Sequence, residues 1–204
     1  MTDFPAWLAP VVPAPARHPA LAVAALGSAA TLGRGGFALS SAAFAGGEML
    51  DPSFTAEEED AVAPPLEWSA PPPGSAELVL VVEEVAGEGK APACHWLVWG
   101  LAPQRGKLLE GEVPPRTGKN QLGNSEWLLP APAPGETRHY LFQLFATDLP
   151  LVLMPGARRE QLLGALQGSV TACAVLHATF TGGEEDEDWA DGQDSKNLPH
   201  KQGS

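Results

Sequence analysis

Two adjacent carboxylates, Glu83 and Glu84, close one apolar run, and a histidine, His95, opens the next. An acid at the end of one strand and an imidazole at the start of its neighbour can share a proton or cradle a charged group. The same residue types serve equally well as solvated loop acids and as a hydrogen-bonded core histidine. Both readings stand on residue types alone. Cys94 beside His95 invites a thiol–base pair, but neighbouring strand residues face opposite ways. No CxxC, HxxxH or HExxH spacing supports a metal centre, and no GxSxG elbow, P-loop or GxGxxG turn follows a strand. A hydrolase built on Glu84 and His95 has no further motif behind it. The expectation is a protein that is not an enzyme and carries no cofactor.

These residues need a sheet to hold them. The stretch from Glu77 to Pro103, ELVLVVEEVAGEGKAPACHWLVWGLAP, holds two β-branched apolar runs around a Gly-rich loop. Their length and flanking turns predict strands, and the unbroken run from Leu78 to Val82 predicts one buried on both faces. Before it, PPLEW gives an extended segment stiffened by proline, with Trp68 as a core aromatic. Gly46-Gly47 and Asp51-Pro52 mark turns, and Ala56 to Asp60 is an acidic loop. The stretch from Gln104 to Gly135 is long and irregular, which points to a functional or disordered loop. In YLFQLFA, Tyr140, Phe142, Leu144 and Ala146 share one face. Ala157 to Gln167 predicts a helix with Leu162, Leu163 and Leu166 as its apolar stripe and Gly168 after its end. Val170 to Phe180 alternates as a last strand, with Val170, Ala172, Ala174, Leu176, Ala178 and Phe180 on one side.

The chain has 204 residues, enough for one core without staples. Its net charge of −13 argues against nucleic acid as a partner. Cys94 and Cys173 lie in apolar runs, which suggests buried thiols and a reducing compartment. Ala20 to Leu32 is too short to span a bilayer and lacks a basic leader, so a cytoplasmic chain without an integral membrane segment is expected. Residues 1–36 read as an N-terminal extension with Phe4, Trp7 and Leu8 as docking anchors. Residues 37–181 form the β domain, and 182–204 an acidic disordered tail.

Taken in order, FALSSAAFAGG, DPSFT, APPLEW, LVLVVEE, CHWLVWGLAP, GKNQLG and LPAPAPGETRHYLFQLFATD resemble the phosphatidylethanolamine-binding protein family, in its bacterial and archaeal Raf-kinase-inhibitor-like branch. The resemblance spans about Phe37 to Phe180. It implies a mainly β fold, an antiparallel β-sandwich with a short C-terminal helix and a small anion pocket at one end. The alternation above agrees with it.

The pocket positions implied are Glu84, His95, Ala131, Pro132, Arg138 and Tyr140. Several depart from the family pattern. The acid-Pro-acid segment stands here as Glu84, Val85 and Ala86, and the usual polar residues ahead of the Pro pair are Ala61 and Ala63. His-Arg-Tyr is here Arg138-His139-Tyr140, so a permanent cation takes the place of an imidazole on the Tyr140 face. Either Arg138 faces a ligand and binds phosphate or carboxylate through its planar fork, or Glu84 reaches Arg138 and the pair fills the site. The resemblance implies a binding protein for phosphate-like ions or phospholipid head groups, with a kinase or protease target as a further partner. The alternative is a protein-interaction module whose pocket has degenerated.

Overall fold

Strand β3 (Glu77–Val85) is buried along its whole length and forms the axis of the molecule. The computed structural model describes residues 3–183 apart from 88; the expected acidic tail lies almost wholly outside the described residues. β4 (Ala93–Leu101) pairs antiparallel with one side of β3, and β7 (Thr137–Thr147) with the other. β8 (Val170–Thr181) extends the sheet beyond β7, and β6 (Arg116–Thr117) extends it beyond β4. The five-stranded order is therefore β6-β4-β3-β7-β8. A second sheet of β1 (Leu39–Ser40), β2 (Leu66–Trp68) and β5 (Gly106–Leu108) packs against one face. The fold is mainly β and sandwich-like, as the alternation predicts.

Each face of the large sheet has its own core. On the first, Leu78, Leu80 and Val82 of β3 meet Trp96 and Val98 of β4, Tyr140, Phe142 and Leu144 of β7, and Trp68 of the small sheet. On the second, Val79, Val81 and Val85 meet Leu97, Trp99, Leu141 and Phe145. Double coverage is why β3 reads as one unbroken apolar run. The second face is covered by helix α2 (Arg159–Leu166) and by the N-terminal segment, including the short helix α1 (Ala22–Leu26). Leu8, Val12, Ala16, Leu21, Ala22 and Val23 of that segment are fully buried, with Phe4 and Trp7 packed beside them. What reads as an extension thus supplies one wall of the second core.

Two local departures from regular pairing matter. Between Val82 and Glu83 the β3–β4 register shifts, so Val82 faces Trp96 while Glu83 faces Cys94 and His95 is the extra residue of a bulge. A second shift, beside Thr147 of β7, moves Val170 onto the second face, away from Ala172, which strict alternation puts beside it. α2 keeps Leu162 and Leu166 fully buried but begins two residues later than its stripe suggests. Gly168 follows it at φ 77°, the left-handed conformation expected there.

Candidate functional site

The bulge aims His95 at the first face, where it joins Glu84, Arg138 and Tyr140 at the rim of the sheet. Glu84 pairs with Tyr140 across β3 and β7, and Arg138 lies two residues from Tyr140 on the same face. The Glu84 carboxylate is saturated. Its Oε1 accepts from Arg138 Nη1 at 2.8 Å, and its Oε2 accepts from the Tyr140 hydroxyl at 3.0 Å. His95 Nε2 lies 3.1 Å from Oε2. His95 Nδ1 lies 2.7 Å from the Leu128 carbonyl, which can only accept.

Glu84 is 5 % exposed, which rules out the solvated-acid reading, and His95, 3 % exposed with both ring nitrogens partnered, is a hydrogen-bonded core histidine that also contacts the acid. Burial by itself raises the Glu84 carboxyl; the hydrogen bond and charge of His95, together with Arg138, outweigh it and hold the group below the usual carboxylate range. Burial and the neighbouring Glu84 charge push the Tyr140 phenol upward, so it remains a donor. Arg138 is the most accessible member, its side chain 25 % exposed. Its Nη2 bonds Glu136 Oε2 at 3.0 Å, and its buried Nε has no partner among the described residues.

Four of the six expected pocket residues thus come together: Glu84, His95, Arg138 and Tyr140. Ala131 and Pro132 make none of the cluster's hydrogen bonds or ion pairs among the described residues. They lie on the connection into β7, where the Pro132 carbonyl approaches Gly182 and the next N–H, of Ala133, donates to Glu136. Glu136 was legible as an acid two residues before Arg138, on the same side of an extended strand. A cleft of about 620 Å³ lies beyond Trp127, and none of the four cluster residues lines it. Ala61, Ala63, Trp96, Trp127, Leu128 and Leu129 are among the residues that line it. The His95 ring packs against Tyr140 and Trp127, with centroids 5.3 and 6.0 Å away, so ring and cleft share a wall. Asn120 holds that wall in place. Its buried amide accepts from Leu122 and Asn124 and donates to Glu126, ordering the long loop before Trp127, whose indole bonds the Phe54 carbonyl.

The neighbouring acid, Glu83, faces the other way and is fully buried. It accepts from Arg159 Nε at 2.6 Å, from Gln143 Nε2 at 2.8 Å and from the Ala22 N–H at 2.8 Å. Gln143 Oε1 takes the Val23 N–H at 2.8 Å, and Arg159 Nη2 donates to the Ala20 carbonyl at 2.6 Å. This cluster ties the N-terminal segment to the sheet. The lone amide in the apolar run YLFQLFA was its signal, since a buried Gln needs polar partners. Cys94 lies on this same face, away from His95, and burial raises its thiol to about 12, which leaves it unreactive.

On the same side, His139 Nδ1 lies 3.0 Å from His177 Nε2. The ring centroids are 5.2 Å apart and the planes 17° from parallel. That combination places the two nitrogens edge to edge, sharing one proton. Burial lowers both imidazoles, His177 to about 4.

Among the described residues no group of three or more His, Cys, Asp or Glu side chains is placed to hold a metal ion, and no helix is long and apolar enough to cross a membrane.

Comparison with known proteins places this geometry. Residues 40–181 match the family model described as phosphatidylethanolamine-binding protein. A Mycobacterium tuberculosis protein named lipoprotein LppC is 35% identical over 147 residues, covering 71% of this chain and 72% of its own. A UPF0098 protein of Chlamydia trachomatis is 32% identical over 149 residues, 70% of this chain and 97% of its own. The crystal structure of the phosphatidylethanolamine-binding protein homologue CT736 from Chlamydia trachomatis superposes with a TM-score of 0.66 at 30% identity. That match covers 74% of this chain and 98% of CT736. Escherichia coli YbcL shares the fold, with a TM-score of 0.63 at 20% identity over 71% of this chain and 98% of its own. With its sheets and these matches in agreement, the chain belongs to the phosphatidylethanolamine-binding protein family.

Proposed function

We propose that this chain is a non-enzymatic binding protein whose rim cluster is a small-anion site occupied at rest by its own Glu84. The observation that carries this reading is the donor set around that carboxylate. Arg138, Tyr140 and His95 converge on one oxyanion, as they would on a phosphate or a phosphoryl head group. An incoming anion competes with Glu84, which stays ionised at neutral pH because its carboxyl is held low.

The test is a heteronuclear NMR titration of the full chain with inorganic phosphate and with phosphoethanolamine, in the wild type and in Glu84→Gln. Weak binding in the wild type and at least about tenfold tighter binding in the variant are expected, because a competing charge has been removed. Failure of both proteins to bind refutes the anion site. The second reading, a protein-interaction module with a closed pocket, then stands. Its support is the pair of exposed apolar side chains on the connection between β7 and α2, Val152 and Met154, which are 98 % and 80 % exposed.

A further inference from the structure

We infer a second anion site, for a phosphoryl group, on the opposite face of the large sheet from Glu84. A cavity of about 350 Å³ lies there, with Lys119, Arg158, Arg159, Glu160 and Gln121 in its wall. The chain has 12 cationic side chains against 25 carboxylates. Three of the twelve converge on this one concavity, with Glu160 the one carboxylate among the described residues of its wall.

The two arginines stand at a helix end that itself favours an anion. Arg158 is the N-cap of α2 and Arg159 its first residue. Cations at a helix N-terminus face the positive end of the helix dipole, where anions are favoured. Arg158 carries only donors, so its side chain cannot accept from the first-turn N–H groups. Its own N–H goes to Gln161 Oε1 at 2.9 Å. Glu83 offsets Arg159 from below, and Arg159 Nη1 is left without a partner among the described residues. Lys119 Nζ gives one proton to the Gly123 carbonyl and has no ion pair among the described residues; neither has Arg158. A phosphoryl group between Lys119 and the two arginines meets three charged donors and satisfies all of them. The volume suits a small phosphate monoester better than a bare ion.

The same NMR experiment on the full chain tests this when its resonances are followed separately. Inorganic phosphate, glycerol 3-phosphate and succinate are titrated in turn. The expected result is saturable shifts at Lys119, Arg158 and Arg159 with both phosphates, tighter for the monoester, while His95 and Tyr140 are unmoved by binding here. Arg158→Ala, at an exposed position, and Lys119→Met each weaken binding about tenfold, as loss of one charged hydrogen bond does. Glu84→Gln leaves it unchanged. Succinate binding as tightly as the monoester overturns the phosphoryl assignment. Shifts that never saturate, or affinity unchanged in both variants, overturn the site.

Discussion

Replacing Glu83 by Leu removes an acceptor on which a side-chain cation, a side-chain amide and a backbone N–H all depend. Glu83 is fully buried and the Arg159 side chain is 20 % exposed. Breaking a buried pair by deleting one partner costs about 3–5 kcal/mol, because the remaining charge is left unmatched. The Ala22 N–H and the Gln143 amide lose a partner in the same step, so we expect about 4 kcal/mol or more, a large share of the roughly 5–15 kcal/mol a domain has. The loss is directional. It frees the N-terminal segment first, because Ala20, Ala22 and Val23 are the points this cluster holds. Urea unfolding measures the magnitude, and hydrogen exchange the location: Ala22 and Val23 amides lose protection while Leu66 and Leu108 in the small sheet keep theirs. Arg159→Met added to Glu83→Leu restores part of the stability, since an apolar pair leaves no buried charge. A cost below about 1 kcal/mol with unchanged protection at Ala22 refutes the argument that this buried acid holds the segment down.

Other outcomes follow from the same geometry. Burial and repulsion from His139 lower His177 to about 4 from 6.5, so the folded protein keeps it neutral while the unfolded chain protonates it. Its contribution is complete above about pH 6.5 and falls by roughly 2–3 kcal/mol as pH drops to about 4. Thermal melts across that window show the decline, His177→Asn flattens it, and an unchanged slope in the variant removes His177 as its source. Trp96→Ala, at a residue 2 % exposed in the first core, costs about 3–5 kcal/mol in urea titration; a near-neutral result contradicts its packing against Trp127.

Much of the architecture was legible because burial leaves a periodic trace. β3 showed as an unbroken apolar run, since both its faces are covered, and β7 and β8 showed as alternation that places Tyr140, Phe142 and Leu144 on one face. The parity of Arg138 and Tyr140 put both on one face, and the parity of His139 turned it to the other. The helix showed through Leu162 and Leu166. The irregular stretch before β7 hid its role, because its order comes from side-chain caps such as Asn120, which have no period. Glu83 and Glu84 looked like a solvated pair at a strand end, and nothing local says otherwise.

Residue types and spacing alone determined the strand axis, the faces of β7 and of β8 from Ala172 onward, the absence of a familiar catalytic motif and the family resemblance. Each depends on side-chain volume and a period of two or 3.6 residues, which any stretch of chain carries within itself. Only the tertiary structure decided that Glu84 meets Arg138, that a bulge turns His95 toward both, that Glu83 holds the N-terminal segment, and that Lys119 gathers with Arg158 and Arg159. The clusters they belong to join residues up to 139 positions apart in the chain, as Ala20 and Arg159 are. Partners that distant leave no local signature, and the energy that selects them comes from matching buried charges once the sheet has formed.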